Sequence, residues 1–84
     1  MTDELTAPED WYWDVTTKDL DGVSLIVKLC GVRVADDLEW SWALTPRDLA
    51  KQERIEARIR ACKRALLRKY AENKRIEAAI HASR

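Results

Sequence analysis

Arg60, Arg64, Arg68 and Arg75 recur at intervals of 4, 4 and 7 residues in the C-terminal half of this chain. On a helix that spacing lines four guanidinium groups along one side. Their chemistry suits an anion, because a guanidinium forks onto phosphate or carboxylate oxygens. The competing explanation is a solvated helix face, helped by Glu56 four residues before Arg60. No zinc-finger or RNP-type sequence accompanies the row, so it is a candidate contact for a partner protein or for nucleic acid.

Other chemistry-bearing residues are sparse. His81 is the sole histidine and Cys30 and Cys62 the sole cysteines, too few for a zinc site of four Cys or His ligands. There is no glycine-rich phosphate loop and no nucleophile elbow. Asp19/Asp21 and Asp36/Asp37 fall in expected turns, where Asp is favoured for backbone reasons. The expectation is therefore a non-enzymatic protein with no cofactor, no metal and no small-molecule substrate. Trp11/Trp13 and Trp40/Trp42 form two Trp-x-Trp pairs. They read as core in a chain without Phe, or as an aromatic platform for bases, sugars or proline-rich peptides.

The element that carries the arginines begins at Thr45. Thr45 is a helix N-cap, Pro46 takes the first helical position, and Asp48 is placed to complete a capping box. Leu44 and Leu49 are spaced for a hydrophobic staple. Neither Gly nor Pro recurs before Arg84, which predicts one helix over 45–82. Ile55, Ile59, Cys62, Leu66, Tyr70, Ile76 and Ile80 lie close to one line on it, an amphipathic stripe. Read as a heptad, the stripe passes through Lys69 and Asn73, and a buried Asn favours a dimer. Asn73, Ile76 and Ile80 are thus the candidate self-association residues.

Upstream, the patterns have a period of two. Trp11, Trp13 and Val15 share a face, with Tyr12, Asp14 and Thr16 opposite; 18–22 read as a turn. A second strand is expected from Val23 to about Val34, with a β-bulge at Cys30-Gly31 where the apolar parity switches, the alternative being a tight turn there. Leu38, Trp40, Trp42 and Leu44 alternate most clearly of all. Short connections imply antiparallel neighbours. The expected fold is α+β: a three-stranded antiparallel β-meander over 11–44, then one long amphipathic basic helix. Residues 1–10 are acidic and read as a flexible tail, with 11–84 as one small domain. The helix, about 55 Å long, outreaches strands of about 23 Å, so it must bend near 71–74 or project.

Charge is segregated. Residues 1–50 hold 11 acids against 4 bases, a net of −7, and residues 51–84 hold 4 acids against 11 bases, a net of +7. Such asymmetry fits a charged partner or neutralisation within a fold or dimer. Two distant cysteines and the lack of a leader-like or membrane-length apolar run suit reduced thiols in the cytoplasm. The leading expectation is a small interaction protein, dimeric, that binds another protein. Its size and its Ala-, Arg- and Trp-rich composition suit a bacteriophage or mobile-element accessory protein acting on a host protein in the host cytoplasm. The alternatives are nucleic-acid binding through the arginine row, or a structural subunit of a larger assembly.

Overall fold

The computed structural model describes residues 5–19 and 22–82. Three strands, β1 (Tyr12–Asp19), β2 (Val23–Cys30) and β3 (Leu38–Leu44), form one antiparallel sheet in the order β1-β2-β3. Trp13 pairs with Leu29 and Val15 with Val27, while Val27 pairs onward with Trp40 and Leu25 with Trp42. This register collects the alternating apolar residues of all three strands on one face, as their period of two requires. Gly22, at φ +127°, lies just before β2 in a conformation that side chains other than glycine resist.

The second strand ends earlier than its sequence suggests. There is no bulge at Cys30-Gly31: β2 stops at Cys30, and Val34–Asp36 form a 3-10 turn. The loop has its own polar frame, with Gly31 N–H donating to Asp37 Oδ1 at 3.0 Å and Arg33 forked onto Asp36. Val32 and Val34, which mimic a continuing strand, are exposed. Gly31 answers a steric need instead, since a Cβ there would lie 2.8 Å from the Trp11 ring.

The helix is also divided, although not at Asn73, where it runs straight on. Helix α1 (Pro46–Ala50) stops at Lys51, whose extended backbone (φ −135°, ψ 121°) redirects the chain into α2 (Gln52–Ala82). The Lys51 carbonyl then accepts from Arg54 N–H and Ile55 N–H to open the second helix. Thr45 caps α1 as expected, with the reciprocal capping box to Asp48 complete. Leu44 enters the core, whereas Leu49 stays largely exposed.

Asp48 joins the two helices. Its carboxylate is fully buried. Oδ2 accepts from Thr45 N–H and from the Thr45 hydroxyl, each at 3.0 Å. Oδ1 accepts from Arg54 Nε at 3.1 Å and is paired with Arg58 Nε at 3.6 Å. A buried carboxylate is tolerable only with this degree of satisfaction. Arg58 also stacks over the Trp42 ring, 4.9 Å from its centroid, so one guanidinium ties α2 to both α1 and β3.

From there α2 lies across the sheet. Leu25, Val27, Leu29, Leu44, Cys62 and Leu66 make the buried core, with Ile59, Leu67, Tyr70 and three tryptophans packed around it. Of the acidic segment, residues 5–10 are described: Trp13 Nε1 donates to the Leu5 carbonyl at 2.9 Å, and Ala7 packs on the core. Burial on α2 ends at Tyr70, and 71–82 are exposed throughout. The radius of gyration is 15.0 Å, against about 12 Å for a compact chain of this length. The excess reflects that projecting helix end.

Two outcomes follow. Leu66→Ala should cost about 2–5 kcal/mol in urea unfolding, while Ile76→Ala on the projecting end should change stability by less than about 0.5 kcal/mol. Asp48 is lowered to about 2, first by the Thr45 backbone N–H it accepts, then by the Thr45 hydroxyl, Arg54 and Arg58, against burial. A depressed carboxyl stabilises the fold above its ordinary value, and that stability drains as pH falls through the folded value. Wild-type melting temperature should therefore drop between about pH 4 and pH 2, and Asp48→Asn should start lower and lose less across that window.

Candidate interaction surface

Three of the four tryptophans are engaged by α2. Tyr70 meets Trp11 edge to face at 5.0 Å, Lys63 Nζ lies 5.3 Å from the Trp13 centroid, and Arg58 covers Trp42. Trp40 alone keeps substantial exposure. The rings are thus core and helix-docking residues, and the open aromatic platform is not formed.

Arg60, Arg64 and Arg68 occupy successive turns of the face of α2 turned away from the sheet, and Arg75 continues the row on the projecting end. All four are exposed, and none forms an ion pair with a described residue. The arginines of α2 that the fold itself uses are Arg54 and Arg58. Their positions six and ten residues after a capping Asp, four apart from each other, were the available sequence signal for this inter-helix clamp.

The expected self-association seam is split by the fold. Cys62 and Leu66, midway along it, have no exposed surface and belong to the domain's own core. Asn73, Ile76 and Ile80 remain beyond the sheet, with each isoleucine 51 % exposed. Residues 73 to 80 cover about two turns, within an exposed rod about 18 Å long from residue 71 to 82. Beside the root of this rod, a groove of about 290 Å³ opens between the 33–38 loop and α2, walled by Trp11, Asp37, Tyr70, Asn73 and Glu77.

The remaining titratable groups are dispersed. His81 is exposed in the last turn of α2. Burial raises the Cys62 thiol, opposed by Arg58. On the other face of the sheet the Tyr12 phenol is raised, chiefly by its hydrogen bond with buried Cys30. Among the described residues no three His, Cys, Asp or Glu side chains cluster as a metal site would need, and no helix is long and apolar enough to cross a membrane. No protein-family model, curated protein or solved structure matches the chain.

Proposed function

We propose that this chain is a non-enzymatic interaction protein whose projecting helix end docks into an apolar groove on another protein. The observation that carries the reading is the run of exposed helix from residue 71 to 82, with Ile76 and Ile80 half exposed one turn apart. A helix inserted into a groove uses such i, i+4 anchors. Two turns are too short for a self-sufficient coiled coil, whose seam needs several heptads. The exposed apolar surface of Ile76 and Ile80 therefore suits a groove on a protein partner better than a mirror-image helix.

The test compares wild type with Ile76→Glu/Ile80→Glu. The double variant should retain the wild-type melting temperature within a few degrees, since neither residue touches the core, and should lose the partner that wild type retains. A wild-type chain that retains no macromolecule in pull-downs from its own cells would overturn the reading.

A second reading, nucleic-acid binding, is supported by the four exposed arginines without described ion-pair partners. If all four contact phosphates, duplex DNA affinity should fall roughly a hundredfold between about 50 and 200 mM salt. Anisotropy titrations that detect no binding at the lower salt, or an affinity indifferent to salt, would exclude it.

A further inference from the structure

We infer that the free edge of β1 is a self-complementary interface that joins two copies of this chain into one six-stranded sheet. This inference does not rest on the helix end and concerns a different surface.

The corner of the sheet built from β1 is uncovered. Asp14 to Asp19 are exposed without interruption on both faces, and Val15 leaves 39 % of its surface open on the face that α2 covers elsewhere. Among the described residues β1 pairs only with β2, leaving its other edge open. An open edge is a template for another strand unless charges prevent it.

The charges of β1 select one pairing. Set two β1 strands antiparallel with Thr16 opposite Thr16 of the second copy. Asp14 then faces Lys18 of the second copy, and Lys18 faces its Asp14, on the outer face. Val15 faces Thr17 on the helix-covered face. Centring on Val15 or Thr17 leaves both charges unanswered, and centring on Asp14 or Lys18 opposes like charges. Only the Thr16 register satisfies every Asp14 and Lys18.

The rest of the sheet extends the same pattern. Asp14 pairs in register with Lys28, and Lys28 with Glu39, whose carboxylate lies 4.0 Å from the Lys28 ammonium. Adding Lys18 of the second copy gives a row of alternating sign across four strands. On the helix-covered face, Asp19 of the second copy falls opposite Trp13, whose ring already carries the Lys63 ammonium. The opposite edge, β3, has Glu39 as its only charge, and pairing about Ser41 sets it against Ala43. Charge complementarity therefore marks β1 as the edge and a second copy as its occupant.

A charge-swap series on the full chain tests this by light scattering and sedimentation. Wild type should be a dimer. Asp14→Lys and Lys18→Asp should each weaken the dimer by roughly tenfold or more, since each replaces two attractive pairs with two repulsive ones. An equimolar mixture of the two single variants should form a heterodimer, and the Asp14→Lys/Lys18→Asp double variant should dimerise with itself. Circular dichroism keeps loss of folding distinct; Lys18→Asp, opposite uncharged Ser24, is the gentler substitution for the monomer. A monomeric wild type overturns the inference, as does a dimer indifferent to both single variants. A dimer broken only by Ile76→Glu/Ile80→Glu also overturns it and would place self-association at the helix end.

Discussion

The buried carboxylate of Asp48 is the constraint on which the arrangement depends. It closes the cap of a five-residue helix too short to persist alone. It also draws in Arg54 and Arg58 from the next helix. Arg58 in turn lies on Trp42 of the sheet. One anion thus fixes how the chain leaves β3, where it turns, and which side of α2 meets the sheet. Such a charge is harmful if partly satisfied; here both oxygens are occupied by donors from two elements.

A small sheet covered from one side leaves surfaces for which the chain has no cover of its own. Helix α2 buries Cys62 and Leu66 completely and then runs past its support. Beneath it, β2 is buried at alternate positions while β1 is open from Asp14 onward. A chain of 84 residues can build only a modest core. The exposed helix end and the bare strand edge are two places where further burial is geometrically available, and they lie on different elements.

The fold class was legible because it rests on local periodicity. The alternation of Leu38 to Leu44 and the Thr45-Pro46-Asp48 cap specify their elements almost alone. What could not be read locally depends on tertiary contacts. Lys51 has no intrinsic reason to leave the helix; the break accompanies the reach of Asp48 to Arg54 and Arg58. Gly31 resembled a bulge because the ring that needs its missing Cβ belongs to Trp11, twenty residues earlier. Val32 and Val34 imitated a strand while facing outward from a polar loop. The stripe along α2 was visible from Ile55 to Ile80, but only the length of the sheet decides where it becomes surface.

The two cysteines lie on opposite sides of the sheet, Cys62 beneath α2 and Cys30 on the outer face beside Tyr12. Each thiol is shielded by a different element. A reagent reaching Cys62 requires the helix to lift, whereas Cys30 becomes accessible when the Tyr12 end of β1 peels from β2. The protein therefore contains a pair of intrinsic kinetic reporters, one for each layer, that distinguish sequential loosening of helix and strand from concerted opening of the whole domain.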